Sequence, residues 1–170
     1  RMKQMKKSVY IDIEYDFDFF VIGICSSLKE YRLCYYINKT LNTQLFRSEQ
    51  DASMSIEQKG FTEKIDLSFP LYEFFNENQQ QQWFLVSNKC SYLKKNQASS
   101  DLFTNTQHMR KSIEYLIPDH KQIDYFLLVH DGITREGKIN LTAAIKNIPN
   151  IVTCYEIDIN NIKTKENLVF

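Results

Sequence analysis

The chain has 170 residues, with a hydrophobic fraction of 43%, an aromatic fraction of 14% and only 4 glycines and 3 prolines, which excludes disordered, collagen-like and low-complexity classes. Its 21 basic and 21 acidic residues cancel, so bulk charge points neither to duplex nucleic acid nor to an anionic membrane surface. A chain of this length buries roughly two-thirds of its unfolded surface, and residues 1–170 read as a single domain that needs no staples.

Arg1 to Lys7 is basic and reads as a disordered or tag-derived lead, without the apolar core of a secretory signal. Val9, Ile11, Ile13, Tyr15 and Phe17 then alternate with polar residues, the period of a strand with one wet face. Phe19 to Cys25 is apolar throughout and fits a strand buried on both sides. Ser27 and Glu30 have capping-box spacing, and Leu33, Cys34, Ile37 and Leu41 recur at helical intervals, which predicts a helix over 28–41 closed by Asn42. Gln44 to Arg47 reads as a short strand and Ser48 to Gly60 as a polar loop.

Ile65, Leu67, Phe69 and Leu71 alternate as a strand that Pro70 places at a sheet edge. With the turn at 76–82 and the run Trp83 to Val86 it predicts a long hairpin. Residues 94–107 have the composition of a mobile connection. Met109, Ile113 and Leu116 predict a second helix that Pro118 ends. Ile123 to Val129 is a doubly buried strand, Asp131-Gly132 a turn, 141–148 a third helix and 151–159 a last strand. The fold class is α+β: a mixed, mainly antiparallel sheet, about three helices and a C-terminal strand-helix-strand unit with a right-handed crossover between parallel neighbours.

The segment Ile117-Pro118-Asp119-His120-Lys121-Gln122-Ile123-Asp124-Tyr125 resembles the signature of the bacterial IPExxxVDY family, with Asp119 in place of Glu and Ile123 in place of Val. Ser26 to Leu33 and Trp83 to Lys89 also resemble that family's helix and hairpin segments, so the resemblance spans most of the chain. It implies a bacterial origin and, because the family has no assigned activity, cofactor or catalytic residue, no mechanism. Read physically, the signature is a helix stop at Pro118, a turn that Asp119 can bond, and a strand opened by Asp124 and Tyr125.

Chemical motifs are sparse. Cys25, Cys34, Cys90 and Cys154 lie in apolar stretches without paired spacing and read as reduced core residues, so neither a disulfide nor a metal site is expected. Asp12, Glu14, Asp16 and Asp18 share one strand face, which reads as solvated because next-but-one residues stand roughly 7 Å apart. His130 and Asp131 end a strand, where α/β proteins often place functional groups, and form the enzyme or ligand-site alternative; His108 and His120 are the other histidines. No glycine-rich phosphate loop or serine elbow is present, and no cofactor is expected. Aromatic strands leave open a single-stranded RNA reading, against which the neutral charge argues. No run approaches the roughly 20 apolar residues of a membrane span.

The expected function is a cytoplasmic, non-catalytic binding or adaptor protein. Helices confined to one face would leave an apolar sheet face for a protein partner or a second copy, with Trp83 and Phe84 as anchors. Asp119, Asp124 and Tyr125 complete the binding candidates, with Arg32 the expected ion-pair partner of Asp124.

Overall fold

The computed structural model describes residues 18–58, 60, 62–95 and 109–170. The strand expected over 9–17, with Asp12, Glu14 and Asp16, lies outside them, as do His108 and most of the connection expected at 94–107. The elements in chain order are β1 (Phe19–Ser26), α1 (Glu30–Leu41), β2 (Phe46–Arg47), β3 (Ala52–Glu57), β4 (Lys64–Phe69), β5 (Leu71–Asn76), β6 (Gln81–Ser87), β7 (Lys89–Lys95), β8 (Met109–Tyr115), β9 (Tyr125–His130), α2 (Arg135–Lys146) and β10 (Ile151–Ile157). A six-stranded sheet has the order β10-β1-β9-β6-β5-β2, and β3-β4 and β7-β8 form two separate hairpins. Every one of these pairings is antiparallel, so the α+β class holds with an antiparallel sheet and, among the described residues, two α-helices in place of about three.

The apolar runs take the central positions. In β1, Phe20, Ile22 and Ile24 join one buried cluster and Phe19 and Val21 the other, as alternating side chains of a strand covered on both faces must. β6 and β9 divide in the same way: Trp83, Leu85, Tyr125 and Leu127 point to one side, Phe84, Val86, Phe126 and Leu128 to the other. The first side packs on Leu33, Cys34 and Ile37 of α1 and Leu141 and Ile145 of α2. The second is covered by Ala52, Leu67 and Phe69 of the β3-β4 hairpin, by Leu116, Ile117 and Ile123, and by Ile162 and Leu168 near the C-terminus. The expected uncovered face therefore does not exist: strands and turns cover what the helices leave, and Trp83 and Phe84 are each 7% exposed.

Several expectations are corrected. α1 begins at Glu30 because Lys29 is extended (φ −70°, ψ 153°), and Ser27 makes no cap; its C-terminal expectation holds, with Asn42 in the left-handed region at φ 53°. Residues 48–60 contain β3, whose alternation of Ala52, Met54 and Ile56 with Ser53, Ser55 and Glu57 pairs in full with β4. Pro70 does not sit within an edge strand. It is the corner where β4 of one sheet passes to β5 of another, and its carbonyl accepts Ser87 N at 3.1 Å.

The second predicted helix is β8. The 109, 113, 116 spacing imitates a helical stripe, but Met109 and Ile113 are exposed and all seven β8 residues pair with β7. Tertiary pairing overrides a weak local pattern. Pro118 opens a 3-10 turn over Pro118–His120. Lys94 and Lys95 complete β7, not a loop. α2 starts earlier than expected, at Arg135, capped by Thr134, whose Oγ accepts Gly137 N at 3.1 Å. The unit β9-α2-β10 is present, but β1 lies between its two strands, each antiparallel to β1 and so parallel to one another.

Candidate functional site

The residues of the 117–125 segment converge on Asn88, which is fully buried between β6 and β7. Its Nδ2 donates to the carbonyls of His120 and Ile123 at 3.0 Å each, and its Oδ1 accepts Ile117 N at 2.8 Å. Its backbone N–H donates to Asp124 O, and its carbonyl accepts Leu116 N, both at 2.9 Å. A saturated asparagine of this kind fixes the path of a turn.

Asp124, half-buried beside this turn, pairs with Lys89 Nζ, and its Oδ2 accepts Ser26 N at 2.8 Å. The bond to Asp124 raises the lysine's pKa. The expected partner, Arg32, is exposed on α1 and forms no such pair; Lys89 wins because β7 begins directly after Asn88, which already bonds the Asp124 carbonyl. Tyr125 is buried and donates to Leu28 O at 2.6 Å, and burial pushes its hydroxyl pKa up to about 12. Asp119 is exposed, and its Oδ2 accepts Lys163 N at 3.3 Å, tying the turn to the C-terminal segment. These groups bond the protein to itself.

His130 stacks on Phe19 with ring centroids 4.6 Å apart and meets Phe84 edge-on at 5.5 Å. Asp131 follows in the left-handed turn conformation (φ 63°), and with Gly132 (φ 62°) turns the chain toward α2. Trp83 and Phe84 lie on opposite faces inside the core, so neither offers itself to solvent, and the stacking platform an RNA reading needs on the central strands is buried. Among the described residues, no group of three or more His, Cys, Asp and Glu is placed to hold a metal ion. A cavity of about 360 Å³ adjoins Asp51 and Glu73, but Asp51 is taken by Arg47 and by Ser68 Oγ, which donates to it at 2.6 Å.

The open surface lies elsewhere, on β10 and the flank of α2. β10 ends the six-stranded order, and among the described residues no strand pairs with its outer side. Cys154 faces the helices, and Val152, which the register of β10 against Cys25 and Ser26 of β1 skips as a bulge, is 79% exposed. A groove of about 370 Å³ runs between α2 and β10, lined by Ile139, Thr142, Ala143, Cys154, Lys138 and Lys146. Ile139 is 61% exposed. Lys138 meets Glu156 at 3.8 Å at one end, and Lys146 carries no ion pair among the described residues at the other. Burial raises the Cys154 thiol's pKa, and Sγ–H donates to Thr142 O at 3.3 Å, so this cysteine is a packing group and not a nucleophile.

Sequence reasoning missed this surface. The signal was available: 151–159 was read as the last strand, and its sequence has no proline or lysine to blunt an edge. No family model, no curated protein and no solved structure matches the chain. No helix among the described residues is long and apolar enough to cross a membrane.

Proposed function

We propose that this is a cytoplasmic, non-catalytic protein-binding domain that takes an extended segment of a partner alongside β10. The observation that carries the reading is the seven-residue edge strand, with Val152 79% exposed and with Cys154 and Tyr155 lining an apolar groove against α2. Main-chain ladder bonds to an added strand supply affinity, and the groove supplies specificity for alternate side chains. Lys146 at the rim selects a segment that is apolar with an acidic residue. A second copy paired through β10 is the other occupant, and the test below separates the two. The same proposal takes the chain as a bacterial relative of the IPExxxVDY family, supported by the way residues 117–125 form one bonded unit on Asn88.

The test uses two synthetic peptides of alternating Val and Thr, one with Glu and one with Lys at the same two positions. The acidic peptide is expected to slow hydrogen exchange at β10 amides and to bind about tenfold tighter than the basic one, with Val152→Lys abolishing both effects. Lys146→Glu reverses the preference. Absence of protection at β10, or a dimer mass by light scattering with β10 already protected, overturns the reading.

A further inference from the structure

A second site stands on different observations, toward the β2 end of the six-stranded order and away from β10. The strand register places Glu73 of β5 directly opposite Phe46 of β2 on one side and Phe84 of β6 on the other. Along its own strand, the neighbours that share its face are Leu71 and Phe75. Directly opposed residues bring their Cβ atoms to about 5 Å, and next-but-one residues on a strand stand about 7 Å apart. Glu73 is therefore framed by four apolar side chains, three of them aromatic.

Leu71 and Phe84 belong to the second buried cluster, so Glu73 stands on that face of the sheet. The cover over this face does not reach the rim, where Phe46 is 58% and Phe75 48% exposed, and Glu73 itself is half-buried. The cavity of about 360 Å³ lies here, lined by Leu71, Glu73 and Phe84 of the sheet and by Phe170, whose ring meets that of Phe84 edge-on with centroids 5.4 Å apart. Asp51 and Glu166 are its other carboxylates, and no lysine, arginine or histidine is part of the lining. Arg47 answers the charge of Asp51. Glu73 has no such answer: among the described residues it makes no ion pair and no side-chain hydrogen bond. A carboxylate that gives up hydration among apolar neighbours is costly until a cation pairs with it. The three carboxylates are not placed to hold one metal ion together, so a small hard cation lacks the six or more oxygens it takes. A bulkier, weakly hydrated cation needs fewer, because aromatic faces attract it as well.

We infer that this cavity binds an alkylated ammonium ion, its methyl groups against the rings of Phe84 and Phe170 and its charge beside Glu73. An anion meets two carboxylates that no cation answers, and a neutral apolar guest leaves Glu73 unpaired.

The intact, isotope-labelled protein is titrated with choline and, separately, with its neutral isostere in which carbon replaces nitrogen, at constant ionic strength, while backbone amide resonances are followed. Choline is expected to shift the amides of Glu73, Phe84 and Phe170 saturably, with a dissociation constant near or below about 1 mM, and the isostere to bind at least about tenfold more weakly. Glu73→Gln should weaken choline about tenfold, to the level of the isostere, without lowering the urea midpoint, since the carboxylate has no partner to lose. Should that variant fail to fold, Phe170→Ala, at the exposed wall, must weaken choline about fivefold. No saturation, equal binding of choline and the isostere, or choline affinity unchanged in the folded variant overturns the inference, and none of these bears on the β10 surface.

Discussion

The fully buried Asn88 side chain makes three hydrogen bonds to the 117–125 segment, and replacing it tests whether that segment is held as argued. Asn88→Ala removes two donors and one acceptor at once, from the carbonyls of His120 and Ile123 and the N–H of Ile117. Each buried group left unmet costs about 1–3 kcal/mol. His120 O keeps the N–H of Ile123 at 3.0 Å and so loses least. The sum is about 3–5 kcal/mol, a large part of the roughly 5–15 kcal/mol that a native domain commands. Asn88→Asp isolates the donors. The acceptor for Ile117 N survives, but a carboxylate oxygen now faces two carbonyls, which disfavours the charged form in the folded state. The folded pKa of the introduced carboxyl then lies above its unfolded value of about 4, so the penalty is present at neutral pH and shrinks as pH falls through the folded pKa. Urea melts followed by Trp83 emission and far-UV circular dichroism measure both effects. A loss below about 1 kcal/mol for Asn88→Ala, or an Asn88→Asp penalty that does not diminish on acidification, refutes the reasoning.

The remaining perturbations probe the groups around this turn. Asp124→Asn should cost only about 1 kcal/mol, because the Lys89 side chain is 38% exposed and its ion pair is screened; Lys89→Met should cost the same, and urea melts of the double variant should show little further loss. Arg32→Ala, expected from sequence to be the damaging change, should stay within about 0.5 kcal/mol in the same melts. Tyr125 has a folded pKa of about 12, above the value near 10 of an unfolded tyrosine. Its contribution is therefore intact below pH ~10 and lost as pH rises from there through the folded pKa, at up to about 1.4 kcal/mol per pH unit. Tyr125→Phe should flatten the alkaline limb of a pH-stability curve relative to wild type, and identical limbs would show that this hydroxyl is not the titrating group.

What was legible in the sequence follows a physical line. Apolar runs such as 19–25, 83–86 and, within the expected strand 123–129, 125–129 have one solution, a strand buried on both faces, and they form the sheet centre. The helical stripe of Leu33, Cys34 and Ile37 was equally plain because its residues are buried together. Two hairpin strands, β3 and β8, were not, because their apolar residues are few and half-exposed: β8 passed for a helix and β3 for a loop. The sites were harder still, since Asn88 gains its role from backbone 29 to 35 residues away. Gly23 shows the same limit within a correctly read strand. Nothing in Ile22-Gly23-Ile24 says why a residue without a side chain stands there. In the structure, a Cβ at Gly23 would lie 2.6 Å from Ile157 Cδ1 and 2.8 Å from Ile123 Cδ1. Those two isoleucines, one from β10 and one from the turn before β9, meet over the glycine and close the second core. Gly23→Ala should therefore overpack the site and cost about 1–3 kcal/mol, moderated because the obstructing atoms are side-chain tips. Ile157→Val removes one of those tips. In that background the alanine should cost about 1 kcal/mol less, a coupling that a double-mutant cycle in urea reads directly. Strictly additive losses would mean that the glycine is needed for its backbone and not for the space it leaves to Ile157.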